Sequence, residues 1–232
     1  MRLYGRYHQL HPGTNLRIIA LNPFVQDVLN SYIWYNVTDG HGQHVWLREV
    51  LDSCEKKGEH ALIINHFPPY NSAADIGIDF CVKVPLEWTR RYLLIMDRYV
   101  NTIVGQLYGH SHLDTFEVIK SHREKEFSGV ALVHSALTTD PSLYPAYRIY
   151  SMDPLTHTLL NFEQYRFDLE AANARDELRW IRLYNFREYY NVTNMEDRTF
   201  NMIANKIRVL FLSRLFIGER RILQEVCPHA LF

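Results

Sequence analysis

The sequence predicts an α/β fold, and three observations carry that prediction. Apolar runs of strand length stop abruptly at Leu16 to Asn22, Ala61 to Asn65 and Thr102 to Tyr108, as strands buried on both faces do. Between them lie longer stretches with apolar residues at helical spacing, Trp46, Val50, Leu51 and Cys54 in one and Trp88, Tyr92, Leu93 and Met96 in the other. After these comes a β-rich run and then a helical one, so strands and helices both contribute to the core.

Taken in order, residues 16–22 read as a buried strand and residues 43–56 as a helix that Gly58 ends. The next strand is 61–65, followed by a mixed stretch, 70–84, expected as a surface loop. Leu86 to Asn101 reads as a helix feeding the strand Thr102 to Tyr108. Three strands follow near 114–120, 127–134 and 146–152, then a turn at Asp153 and Pro154 and a last strand near 157–165. From about Asp168 the pattern turns helical, with Ala171, Ala172 and Ala174 starting a stripe that Trp180, Leu183 and Tyr184 continue. A second helix, Glu196 to Ile217, sets Ile203, Ile207, Leu210 and Phe211 on one side and Lys206, Arg208 and Arg214 elsewhere. Its charges interrupt it too often for it to span a bilayer. The expected division is therefore a β-rich domain over 1–166 and a helical one over 167–232.

Composition narrows the function classes. A chain of 232 residues, 47% of them apolar, can bury a sizeable core. A net charge of −1 gives no electrostatic reason to expect nucleic acid as a partner. Three cysteines, Cys54, Cys81 and Cys227, leave an odd thiol and define no disulfide framework. The first residues, Met1 to His8, lack the apolar stretch of a signal peptide, so the chain as written is expected to stay in the cytosol. Against that, Asn36-Val37-Thr38 and Asn191-Val192-Thr193 are N-glycosylation acceptors by pattern, which matters only in a secreted protein.

The chemistry concentrates in Gly105 to Val118, where an apolar run opens into Gly109, His110, Ser111 and His112. A loop lets two imidazoles one residue apart turn toward one point, and Gly109 is expected to permit the tight backbone there. His66 likewise follows an apolar run and is itself followed by Phe67, Pro68 and Pro69, which forbid further strand pairing. Neutral imidazoles at these three positions suit Zn²⁺ or another borderline divalent ion. The competing readings are a solvent-exposed loop pair for His110 and His112 and a capped structural residue for His66. His134 also ends an apolar run and is read as a strand-end residue, whereas His41, His44 and His60 flank a helix and are expected on the surface.

These stretches resemble the acid sphingomyelinase branch of the calcineurin-like metallophosphoesterases. The resemblance runs through Leu16 to Asn22, Asn36 to Asp39, Gly42 to Leu47, the His-Phe-Pro-Pro segment at His66, Gly105 to Val118, Ser135 to Thr139 and Tyr147 to Tyr150, in the family's order. It covers residues 4–152 and continues loosely through Trp180 to Tyr190. Departures are Asn65 where the family has glycine and Asp140 where relatives often place a tyrosine near the substrate.

The resemblance implies the C-terminal half of a four-layer β-sandwich flanked by helices, and a site holding two divalent metal ions, with Zn²⁺ the expected pair. It assigns His66 and His110 to one metal and His112 to the other. The family's earlier Asp-x-His, Gly-Asp and Gly-Asn-His motifs do not precede His66, so the bridging carboxylate and the leaving-group acid are expected outside this half, which holds no catalytic residue of its own. The implied activity is hydrolysis of a phosphodiester, sphingomyelin first, with nucleotides or other small phosphodiesters as the alternative substrates. Two further alternatives are a catalytically dead remnant acting as a binding module and a subunit that completes its site with an N-terminal-half partner. The parent protein is then expected to be secreted or lysosomal. Contact of the second helix with a membrane surface is the alternative reading that a phospholipid substrate would suit, and packing on the catalytic domain is the expectation. The isolated chain is expected to be inactive and poorly soluble, because removing half of a sandwich uncovers strand edges.

Overall fold

The computed structural model describes residues 4–25, 27, 30, 31, 39–69, 86–121, 127–139 and 143–215. Asn36, Cys81, Cys227, Asp140 and the loop expected over 70–84 lie outside the described residues.

The chain is α/β. A six-stranded sheet has the order β1-β2-β3-β4-β6-β5, formed by β1 (Tyr7–Leu10), β2 (Leu16–Ala20), β3 (His60–Ile64), β4 (Ile103–Tyr108), β5 (Thr115–Lys120) and β6 (Phe127–Val133). The inner strands β2, β3, β4 and β6 run parallel, and β1 and β5 close the two edges antiparallel. A second, three-stranded antiparallel sheet joins β7 (Ala146–Met152), β8 (Leu159–Phe167) and β9 (Trp180–Asn185).

Two helices make the crossovers from β2 to β3 and from β3 to β4 and cover one face of the large sheet. In α1 (Gln43–Lys57) the buried positions Leu47, Val50, Leu51 and Cys54 recur at helical spacing, and in α2 (Leu86–Arg98) Trp88, Tyr92, Leu93 and Met96 do the same. Both stripes join Ile19, Ala61, Ile63, Tyr108 and Val133 of the sheet in one core cluster. Full burial of a side chain of this size stabilises the fold by roughly 1.5–3 kcal/mol. The carboxylate of Asp39 accepts the backbone N–H groups of His44 and Val45 at the start of α1, and Gly58, at φ 65°, ends it by donating its own N–H to Cys54 and Glu55. Beneath α1 the Cys54 thiol is fully buried, and that burial pushes its pKa up to about 11 against the opposing effect of Arg17.

The other face of the large sheet packs on the small sheet. Val130 and Leu132 of β6, Phe162 of β8, Phe186 of α4 (Phe186–Tyr190) and Phe200 and Ile203 of α5 (Asp197–Leu215) form the second core. Among the described residues no helix is long and apolar enough to cross a membrane.

The structure departs from the sequence reading in several places. The strand β1 was not legible because all four of its residues are exposed. The helical stripe expected through Trp180, Leu183 and Tyr184 does not exist: helix α3 (Leu169–Arg175) stops at Asp176, left-handed at φ 57°, and Trp180–Asn185 then pairs along β8 as β9. The expected division at residue 166 thus falls inside β8. Finally, His44 is not a surface residue, for it is 5% exposed and packs 4.8 Å from Trp88.

Candidate functional site

Strands β3 and β4 are parallel neighbours, with Ile64 in register with Leu107, so the residues after them leave the sheet side by side. That edge, outside the carboxyl ends of parallel strands, is where open α/β sheets bind ligands. The ladder continues past the strand ends: Asn65 N–H donates to Leu107 O at 3.0 Å and Gly109 N–H donates to His66 O at 3.0 Å. His66 and His110 are thereby brought together. Nδ1 of His110 lies 3.3 Å from Nε2 of His66, with the rings edge to face at 5.1 Å and Phe67 packed 4.5 Å from His110.

Burial lowers the proton affinity of both imidazoles. His112 adds to the effect at His66, and His66 and His112 add to it at His110. Two nitrogens each about 2.0–2.1 Å from one tetrahedral Zn²⁺ stand roughly 3.4 Å apart, which the His66–His110 spacing fits. Among the described residues no three His, Cys, Asp or Glu side chains gather into a set able to hold an ion, so His112 does not join the pair in a three-ligand cluster.

The loop itself corrects the expectation placed on Gly109. That glycine does not need its freedom: its φ is not positive, and an added Cβ would meet nothing nearer than His66 Nδ1 at 3.7 Å. The left-handed residues are the histidines, His110 at φ 75° and His112 at φ 60°. Ser111 N–H donates to Gly109 O at 3.0 Å across His110, a three-residue turn that L-residues adopt only under constraint. Asn65, where the family glycine was noted, braces the neighbouring loop: its amide donates to Phe67 O at 3.2 Å and its side-chain oxygen accepts the His66 N–H at 2.9 Å.

Behind the loop lies a part-buried polar network that sequence reasoning missed. Asp114 follows His112 by two residues, and one of its oxygens takes a hydrogen bond from Arg148 Nη2 while the other accepts from the Tyr184 hydroxyl. Arg148, on β7, also donates to Gln164 at 2.9 Å and to the Tyr150 hydroxyl at 3.0 Å. Burial works most strongly against the Arg148 cation, but the Asp114 carboxylate, together with Tyr150 and Tyr184, outweighs it and raises the pKa. His134, at the end of β6 as expected, pairs with Tyr150, and burial followed by the Arg148 charge pushes it down to about 3. Both Asp114 and Arg148 lie within the stretches quoted above, yet nothing in a linear sequence says that they meet across 34 positions. His60, expected on the surface, is instead part-buried with Nδ1 3.0 Å from Nδ1 of His157.

Residues 126–218 match the family described as the acid sphingomyelin phosphodiesterase C-terminal region. A sphingomyelin phosphodiesterase of Bos taurus is 32% identical over 212 residues, 88% of this chain and 32% of that protein. The Homo sapiens sphingomyelin phosphodiesterase is 32% identical over 88% of this chain and 31% of its own length. A cyclic GMP-AMP phosphodiesterase of Bos taurus is 28% identical over 90% of this chain and 47% of that protein. The chain spans about a third of the length of the sphingomyelin phosphodiesterases it matches.

Proposed function

Since the chain belongs to the acid sphingomyelinase family through its C-terminal region, we propose that it supplies one side of a metal-dependent phosphodiesterase site acting on sphingomyelin. The observation that supports this reading is the His66–His110 pair, two neutral imidazoles whose nitrogens are 3.3 Å apart at the carboxyl edge of a parallel sheet. His66 and His110 would hold one Zn²⁺ and His112 a second. Bound metal ions would acidify a water for in-line attack on phosphorus and neutralise charge on the phosphoryl oxygens. The chain's own contribution is to keep the His66 and His110 imidazoles unprotonated by burial and to fix their direction through the two loop ladders. The bridging carboxylate and the remaining ligands would come from outside the described residues, in the same protein or on a partner, and the products would be ceramide and phosphocholine.

A second substrate class, cyclic dinucleotides or other small phosphodiesters, is favoured by the similarity to a cyclic GMP-AMP phosphodiesterase. Isothermal titration of the chain with Zn²⁺ tests the site. Binding that His66→Ala or His110→Ala weakens at least tenfold is the expected result, and equal binding by the parent and both variants would refute it. Hydrolysis assays on sphingomyelin micelles and on a cyclic dinucleotide, using a protein that carries the remaining ligands, separate the two substrate readings.

A further inference from the structure

The loop that bears His110 and His112 is held in a conformation that its residues do not favour. Both histidines have positive φ, and neither a glycine at the strained positions nor a disulfide relieves or locks the turn. Such conformations persist only where surrounding contacts over-determine them. A strong attachment near the turn is Asp114, immediately before β5, whose two carboxylate oxygens are each taken by a different strand of the small sheet: Arg148 on β7 and Tyr184 on β9.

The grip is itself rigid. The Arg148 side chain is 2% exposed, its guanidinium sits 4.0 Å from the Phe162 ring centroid, and its other donors go to Gln164 of β8 and to Tyr150. Tyr150 in turn contacts His134, whose N–H donates to Tyr108 O at the end of the strand that carries the histidine loop. The histidine turn is thus reached by Arg148 from two directions, forward through Asp114 and backward through Tyr150, His134 and Tyr108.

We propose that Asp114, Arg148 and Tyr184 are positioning residues: a part-buried clamp through which the small sheet holds His110 and His112 in their left-handed conformations and so sets the affinity of the loop for metal. The metal-affinity part rests on the reading of His66, His110 and His112 as ligands, whereas the conformational part stands without it. If the network served only to bind the two sheets together, weakening it would lower global stability and leave the loop no looser than its neighbours.

Tyr184→Phe separates the two, because it removes one hydrogen bond to Asp114 and keeps the ring that packs 5.8 Å from Phe162. Two measurements on the full chain suffice, hydrogen exchange of the backbone amides from 109 to 114 relative to those of β4, and Zn²⁺ titration by calorimetry. The expected result is exchange at least tenfold faster in the loop while β4 is unchanged, with Zn²⁺ binding weakened 10–100-fold in a chain that still unfolds cooperatively. Asp114→Ala should give the same pattern more strongly. Unchanged loop exchange in both variants overturns the clamp, and so does unchanged Zn²⁺ affinity in a parent that binds Zn²⁺. A parent that binds no Zn²⁺ refutes the ligand reading instead, and the exchange data then decide the clamp alone.

Discussion

The Tyr150 hydroxyl lies 2.7 Å from Nε2 of His134, joining the end of a large-sheet strand to the small sheet through an imidazole that the fold keeps neutral. Burial, with Arg148 adding to it, pushes His134 down to about 3, whereas an unfolded histidine protonates near about 6.5. Below about pH 6.5 the unfolded chain therefore binds the proton first, and stability falls with pH until the folded imidazole titrates near 3. The loss is at most about 1.4 kcal/mol per pH unit. His134→Gln, which can still bond to Tyr150 but does not titrate, should flatten this slope in urea unfolding measured at several pH values. Equal slopes for the two proteins would mean that the imidazole takes up its proton inside the fold.

A second acid-sensitive tie is Arg17 with Glu59, a two-bond pair at 2.6 and 2.9 Å between β2 and the residue before β3. The Arg17 hydrogen bond holds the Glu59 carboxyl below its usual range in spite of burial. Its stabilisation is therefore complete above the unfolded carboxylate range and lost as pH falls through the folded value. Glu59→Gln is expected to cost on the order of 1–3 kcal/mol at neutral pH and progressively less in acid, as read from melting curves.

Helix α5 should depend on one ring. Phe200 is 1% exposed, stacks 4.9 Å from Phe186 and meets Phe116 of β5 edge-on at 4.9 Å. Phe200→Ala is expected to cost about 3–5 kcal/mol and to speed hydrogen exchange in α5 before that in β4. Exchange rising uniformly over both elements would show that α5 opens only with the whole molecule.

Asn191 is exposed and left-handed at φ 51° just after α4, a geometry in which an asparagine is at ease and its side chain is free for modification. Expressed through a secretory pathway, the protein should carry a glycan there that a peptide N-glycosidase removes. Asn191→Gln should abolish that mass shift and lower stability by about 1 kcal/mol through backbone strain.

What was legible in the sequence was local. The helices α1 and α2 announce themselves through Leu47, Val50, Leu51 and Cys54 and through Trp88, Tyr92 and Met96, because a helix facing a core must repeat at its own period. Trp180, Leu183 and Tyr184 misled, since three apolar residues fit a helix or a short strand and only pairing with β8 decides. At the candidate site the two loops that bring His66 and His110 together were legible from the stops in apolar runs. The Asp114–Arg148 contact was not, nor was the strain carried by His110 rather than Gly109, because both arise from the packing of one sheet on the other.

Cys54 offers a way to watch the whole molecule rather than its parts. With burial holding the thiol near 11, only on the order of one molecule in ten thousand carries a thiolate at neutral pH, and that atom is sealed under α1. In a version with Cys81 and Cys227 replaced by serine, a thiol reagent would find nothing to attack until α1 lifts from the sheet. Each labelled chain then records one such excursion, so the slow reaction of a single sulfur becomes a clock for breathing of the core.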